Sequence, residues 1–335
     1  MRDSAPSDEP LAALADKPEA DRVIAGLKAE GAYDPDRRIR PHDETRLELP
    51  IARIPEETGV EAVIEQADPP YRVRTLDEYL AQRGWPPERR RRVPSSWAVI
   101  GSVIVGRFED CPAPETVGQA LLELHGNADT VISLASIEGM VREPSIRILA
   151  GTGETETIHV EHGTAYGLDL AEVMFSPGNQ AERVRMGSVV EPDERVFDMF
   201  AGIGYFSLPM ARGGARVLAA ECNPTAYDYL CENAVRNAVT DRLDPCLQDC
   251  RSVETSADRV VMGHYQAVSF LPSALSALRP GGRLHLHHLG PFEEGRAALA
   301  AEARAAGREL TVLDERVVKT HSPGLAHRVL DAQLW

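Results

Sequence analysis

The segment FDMFAGIGYFSLP, Phe197 to Pro209, ends an apolar run in an aspartate, turns through Gly202 and Gly204 in a GxG spacing, and enters a helix expected over Tyr205 to Arg212. Glycines let a backbone approach a ligand closely, and a helix N-terminus offers unpaired N–H groups. Position 207 is serine, so the third glycine of the dinucleotide fingerprint is missing and no pyrophosphate cradle is specified. Glu221 closes the next apolar run, RVLAAE, 19 residues after Gly202, where a carboxylate can accept both hydroxyls of a ribose. Asp249, followed by Cys250, ends a third run and can take the amino group of an adenine. The bland alternatives are a solvated strand end at Glu221 and a small buried apolar residue at Cys250; the coincidence of both with expected strand termini favours the ligand reading. A ribose and an adenine without a phosphate cradle point to S-adenosylmethionine more than to NAD.

These residues need a sheet to bring them together. From Glu194 onward the chain alternates apolar runs, RVFDMF, RVLAAE (216–221), RLDPCLQ (242–248), RVVMGH (259–264) and GRLHLHHL (282–289), with helical stretches over Ala226 to Asn237, Val268 to Leu278 and Glu293 to Ala306. That alternation predicts an α/β, doubly wound, Rossmann-like sheet, with the ligand beyond the carboxyl ends of its strands. Two further runs, Leu310 to Val318 and Ala326 to Trp335, predict an antiparallel edge hairpin closed by SPGL. Ahead of this catalytic domain, expected over residues 176–335, the mixed helices and strands of residues 71–175 predict a smaller α+β domain. Residues 1–70 read as a small N-terminal module or arm, with a helix over Ala20 to Gly31 and a strand over Arg46 to Ile51.

The 335 residues hold 36 basic and 52 acidic side chains, a formal net charge of -16. Lysine occurs only at Lys17, Lys28 and Lys319, while arginine is abundant. This composition predicts a protein adapted to a salt-rich cytoplasm, where a Debye length of ~3 Å at about 1 M salt weakens repulsion of a polyanion. Without a long apolar span or a basic-then-apolar leader, a cytoplasmic protein with no membrane partner is expected. Five cysteines show no CxxC spacing, and His285, His287 and His288 lack a carboxylate or third ligand at fixed spacing, so no metal is expected.

VFDMFAGIGYFSLP, preceded by MFSPGNQAERVRMG and accompanied by WAVIGSVIV, HGNADTV and TETIHVEHG, resembles a two-branch family of class I S-adenosylmethionine-dependent tRNA enzymes that modify the base beside the anticodon. One branch comprises the tRNA guanine N1-methyltransferases, the other the archaeal wybutosine-synthesis aminocarboxypropyltransferases. The resemblance covers residues 95–335. It implies that Ser176 and Arg183 reach the cofactor from outside the sheet, that Phe200, Ala201 and Gly202 line it, that Glu221 holds the ribose, and that Asp249 and Cys250 flank the adenine. The family usually has a second polar residue at position 250, so Cys250 is left with its backbone N–H. The methyltransferase branch ends its fourth strand in Asn-x-Pro; this chain reads MGHY there and closes in KTHSPGLAHRVLDAQLW, as the aminocarboxypropyl branch does.

The expectation is therefore transfer of the 3-amino-3-carboxypropyl group to 4-demethylwyosine at position 37 of tRNA-Phe, with tRNA guanine-37 N1-methylation as the alternative. Further alternatives are a non-catalytic tRNA-binding protein that keeps the cofactor fold as scaffold and an NAD-linked dehydrogenase. The partner is the anticodon stem-loop of tRNA, and the protein is expected to be a monomer. His264 and Tyr265 stand where a base could reach the acceptor, or where a strand cap and a packing ring would sit, and no catalytic residue is assigned. ERRRR, Glu88 to Arg92, between Trp85 and Trp97, is either an RNA contact or a solvated basic turn beside core tryptophans. DPDRRIRP (34–41) is a second candidate contact.

Overall fold

The computed structural model describes residues 10–66, 75–138, 143–322 and 325–335, in two units, Met1–Arg91 and Arg92–Trp335. The sequence boundaries near residues 70 and 175 differ from this division. Expected features in residues 1–9, and the centre of the SPGL turn, lie outside the described residues.

In the first unit, β1 (Leu11–Asp16), β2 (Arg40–Pro41), β3 (Arg46–Ile51) and β4 (Ala62–Glu65) form an antiparallel sheet ordered β2-β3-β1-β4, with α1 (Ala20–Ala29) burying Val23 and Leu27 beside it. Strand β1 was not anticipated. Its sequence LAALAD is alanine-rich and lacks the β-branched signal, and burial between two neighbouring strands overrides that preference. Arg37, 2% exposed, is satisfied by Asp34, Gln66 and the carbonyls of Leu11 and Ile51. Helix α2 (Leu76–Gln82) starts in a Thr75–Glu78 capping box, and α3 (Pro87–Arg90) follows.

The second unit opens with β5 (Ala98–Ile100), β6 (Val103–Gly106), α4 (Pro114–Leu124), β7 (Thr130–Glu138) and β8 (Glu143–Gly151), whose strands form a sheet in sequence order. A separate hairpin follows, β9 (Glu156–Glu161) and β10 (Thr164–Asp169). Helix α5 (Gln180–Val189) comes next. It was missed because it buries Glu182 and Arg183 with Met186 rather than an apolar stripe, so its sequence carries little helical periodicity.

The main sheet then builds from β11 (Arg195–Asp198), α6 (Ser207–Arg212), β12 (Arg216–Glu221), α7 (Pro224–Arg236), β13 (Leu243–Leu247), β14 (Ala257–Met262), α8 (Leu271–Ala277), β15 (Leu278–Leu289), α9 (Phe292–Ala305), β16 (Leu310–Ser322) and β17 (Leu325–Leu334). Its order is β13-β12-β11-β14-β15-β17-β16; β11 to β15 are parallel, and β17 is antiparallel to both β15 and β16. The chain leaves β11 toward opposite sides, to β12 and β14, which places the switch point at the end of β11. Helix α6 starts at Ser207, two residues later than expected, because Gly202 to Phe206 form turns. Edge strand β16 slips register between Val312 and Asp314, Val317 and Lys319, and Thr320 and Ser322.

Two asparagines fasten the hairpin to the catalytic layer. Asn233 accepts the Gly167 N–H (2.7 Å) and donates to the carbonyls of Gly167 (3.0 Å) and Ile203 (3.1 Å). One turn later Asn237 accepts the Ala165 N–H (2.9 Å) and donates to the Ala165 carbonyl (2.7 Å). The i,i+4 amides of α7 thus pair the edge of β10 that faces away from β9, as a neighbouring strand would. A Cβ on Gly167 would lie 2.5 Å from Arg236 Nη1, the movable end of a long side chain.

Asn233→Ala removes the partner of three buried backbone groups. At ~1 kcal/mol or more each, the unfolding free energy should fall by about 3 kcal/mol in a denaturant titration, whereas exposed Asp228→Ala on the same helix should change it by less than about 0.5 kcal/mol.

Candidate active site

The turn at the end of β11 is closed by one carboxylate from β12. Glu221 Oε2 accepts the Gly202 N–H (2.7 Å), while Oε1 accepts the N–H groups of Cys222 (2.9 Å) and Asn223 (2.8 Å). Each carboxylate oxygen has two lone pairs, so Oε1 is filled and Oε2 keeps one acceptor site for a hydroxyl. Gly202 has φ +54°, and a Cβ on it would meet the Tyr205 ring at 2.6 Å, so the position is closed to larger residues by conformation and by space. Ala201, buried, donates its N–H to the Ala220 carbonyl (3.0 Å) and holds the turn against β12.

Asp198 lies beneath the turn with no exposure. Its carboxylate accepts the Ser207 hydroxyl (2.6 Å) and the Phe200 N–H (3.3 Å), bridging the two ends of the glycine turn. Burial pushes its pKa up to about 6, offset in part by the Ser207 hydrogen bond and raised further by the charge of Glu221. Ser207, the residue that breaks the dinucleotide fingerprint, is therefore the partner of the buried acid.

Beside the turn, Phe200 meets the Phe270 ring edge-on at 5.0 Å, and the Arg251 guanidinium lies 5.0 Å from the centre of that ring. Arg251 pairs with Asp249, whose carboxyl it holds below the usual range. Both partners are substantially exposed, so exchanging this pair for another hydrogen bond costs little. Cys250 is buried, and its thiol is pushed up to about 12 by desolvation first and the Asp249 charge second, so it is a neutral wall residue.

From the other side, Tyr205 ties the turn to the loop ahead of α5: its hydroxyl donates to the Met174 carbonyl, and its ring packs on Phe175 at 5.7 Å. Arg183 is held inside the protein. Its guanidinium is buried in a two-pronged pair with Glu161 (2.7 and 2.8 Å) and donates to the Ser176 carbonyl (3.0 Å). The sequence reading missed Glu161 and Tyr205, although both lie inside the quoted motifs. Neither residue type signals a ligand by itself; each matters through what it anchors.

At the end of β14, His264 stacks on Phe200 with ring centres 5.4 Å apart, and its Nδ1 accepts the Gln266 N–H at 3.2 Å. In the neutral ring the proton then sits on Nε2, so this conformation offers a donor and not a base lone pair. Tyr265 packs edge-on against His327 at 4.8 Å.

His285 and His287 share one face of β15, and His288 lies on the other. His285 accepts from Arg259 at Nε2 (2.6 Å) and donates from Nδ1 to Asp331 (2.5 Å), while His287 faces His327 at 2.9 Å. Asp331 also pairs with Arg316 and Arg185, and those arginines reach Glu182 on α5. Among the described residues no group of three or more His, Cys, Asp or Glu side chains is arranged to hold a metal ion. Within the basic run, Arg89 lies on the Trp85 ring at 3.6 Å and Arg90 binds Asp77. Arg92 donates to the Asp110 carbonyl (3.3 Å), and Trp97 donates to His125 (3.0 Å).

Two measurements check this geometry. Glu221→Ala strands the three N–H groups that its carboxylate holds and frees the glycine turn, so affinity for S-adenosylmethionine by titration calorimetry should fall at least about tenfold. A buried carboxyl with a raised pKa favours the fold below its unfolded pKa of about 4, and that contribution is lost as pH rises through about 6. Asp198→Asn should therefore gain stability relative to the parent between pH 4 and pH 7, with the difference vanishing at lower pH.

Residues 157–307 match the TRM5/TYW2 methyltransferase domain and residues 76–155 match the TYW2 N-terminal domain. A tRNA(Phe) (4-demethylwyosine(37)-C(7)) aminocarboxypropyltransferase of Pyrococcus horikoshii is 37% identical over 260 residues, covering 75% of this chain and 93% of that protein. The crystal structure of P. horikoshii TYW2 in complex with MeSAdo matches with a TM-score of 0.68 at 34% identity, over 78% of this chain and 99% of that one. Trm5b of Pyrococcus abyssi matches with a TM-score of 0.72 at 32% identity, over 97% of this chain and 99% of that one. The glycine turn closed by Glu221, set in a doubly wound sheet and carried on relatives of this closeness, makes the chain a member of the TRM5/TYW2 family of tRNA-modifying transferases.

Proposed function

We propose that this protein transfers the 3-amino-3-carboxypropyl group of S-adenosylmethionine to carbon 7 of 4-demethylwyosine at position 37 of tRNA-Phe and releases methylthioadenosine. The observation that carries the choice of branch is the end of β14. Gly263 stands where a Cβ would meet the Phe206 ring at 2.7 Å, followed by His264 and Tyr265 in place of an Asn-x-Pro turn. The relative at 37% identity, matched over 93% of its length, bears the same activity in its name.

In this reading Glu221 holds the ribose, Asp249 and the backbone of Cys250 flank the adenine, and Phe200, Ala201 and Gly202 form the floor. Ser176 closes the site from the loop that Arg183 and Glu161 brace. S-adenosylmethionine supplies the electrophile: the ring carbon bonds to its γ-carbon, the γ-carbon–sulfur bond breaks, and the electron pair neutralises the sulfonium. The chain's own task is orientation, which alone can supply several kcal/mol by aligning one of three electrophilic carbons. The displaced ring proton passes to solvent water and not to His264, whose Nδ1 is engaged by Gln266. The acidic, lysine-poor composition fits the salt-rich cytoplasm of an archaeon, and the anticodon stem-loop is the RNA element bound.

Incubation with labelled S-adenosylmethionine and tRNA-Phe carrying 4-demethylwyosine should yield methylthioadenosine and a heavier nucleoside at position 37 by mass spectrometry. Release of S-adenosylhomocysteine with N1-methylguanosine would assign the chain to the other branch. His264→Gln should keep turnover within about threefold; a loss of ~100-fold with unchanged cofactor affinity would make the imidazole a proton acceptor after all.

A further inference from the structure

The cations at the carboxyl edge of the main sheet are committed, with one exception. Arg251 holds Asp249, Arg183 holds Glu161, Arg185 and Arg316 hold Glu182 and Asp331, and Arg328 donates to the Gly290 carbonyl. Lys319, the only lysine of the second unit, is exposed and has neither an ion pair nor a side-chain hydrogen bond among the described residues.

Two features set its place. Strands β15 and β16 both run antiparallel to β17 and hence in the same direction, so the last residues of β16 lie at the edge where β11, β12 and β14 also end. The register slip between Val317 and Lys319 re-aims the side chain there, as bulges beside active sites do. The lysine then lies across the turn that follows Ser176: a Cβ on Gly178 would sit 3.0 Å from Lys319 Cδ and 3.3 Å from its Nζ.

We propose that Lys319 binds a backbone phosphate of the RNA substrate beside the modified nucleotide; the inference rests on the tRNA reading above. The amino-acid arm of the co-substrate is the competing anion, and distance argues against it. Strand β16 is five strand spacings from the Glu221 strand, about 24 Å, whereas a lysine side chain reaches ~6 Å and the arm extends ~7 Å beyond the ribose. A phosphate of an anticodon loop laid over the carboxyl edge needs no such reach. In a chain of net charge -16, an unpaired ammonium on that edge is the attractive contact that the overall field does not provide.

Binding of tRNA-Phe to the full-length protein by filter retention, from 0.1 to 0.5 M KCl, tests this. Lys319→Ala should weaken binding about fivefold to tenfold at the lowest salt and make the slope of log K against log salt shallower by about 0.7. Lys319→Arg should restore both, and Gly178→Ala, which displaces the side chain, should weaken binding by a smaller factor. S-adenosylmethionine affinity by calorimetry should be unchanged in Lys319→Ala. Wild-type tRNA affinity and slope in Lys319→Ala, or a loss confined to S-adenosylmethionine, would overturn the proposal. A parent enzyme that binds tRNA without releasing methylthioadenosine would overturn the transferase reading and leave the binding comparison intact.

Discussion

A single carboxylate organises the reactive end of the sheet. Glu221 collects N–H groups from Gly202, Cys222 and Asn223, so one side chain on β12 fixes the turn after β11 and the entry to α7 together. The turn needs such an anchor because Gly202 and Gly204 both sit at positive φ, where the backbone has many alternatives and no side chain to choose among them. Asp198 anchors the same turn from below through Ser207 and Phe200. One acid is half-buried and able to meet a ligand, while the other is fully buried and structural. The difference in solvent access gives two similar groups separate tasks.

The remaining site elements are brought in by polar contacts that substitute for missing strands. The amides of Asn233 and Asn237 complete the free edge of β10, and Asn233 also caps the Ile203 carbonyl inside the glycine turn. The hairpin in turn carries Glu161, which fixes Arg183 and through it the carbonyl of Ser176. A path of hydrogen bonds thus runs from the glycine turn through α7 to the hairpin and back to the loop on the opposite side of the pocket. Its members are buried, so each partner is worth more than it would be at the surface.

Much of this was legible in the sequence. The alternation of apolar runs and helices gave the sheet, and Gly202, Glu221 and Asp249 fell at strand ends because period and burial constrain them together. What escaped was governed by side chains acting on backbone at a distance. Strand β1 is alanine-rich and becomes a strand through its neighbours; α5 hides its helical character behind a buried acid and a buried arginine. Asn233 was visible only as one member of a helical spacing, with no local sign that its amide would pair with residues 66 positions away. Arg183 was read as a cofactor contact, and its pairing with Glu161 carried no local signal, since sequence alone does not say which acid an arginine will meet. The histidine run gave no sign of its pairing either, because His285 depends on Arg259 and Asp331 from two other strands.

The three register slips along β16 bear on how the protein behaves when crowded. An outermost strand carrying exposed Val312, Leu313 and Val317 would, if straight, present a regular ladder on which another chain could template itself. Interrupting that ladder every few residues denies an incoming segment more than a short stretch of matched donors and acceptors. The kinked border thereby acts as a built-in guard against sheet-to-sheet polymerisation.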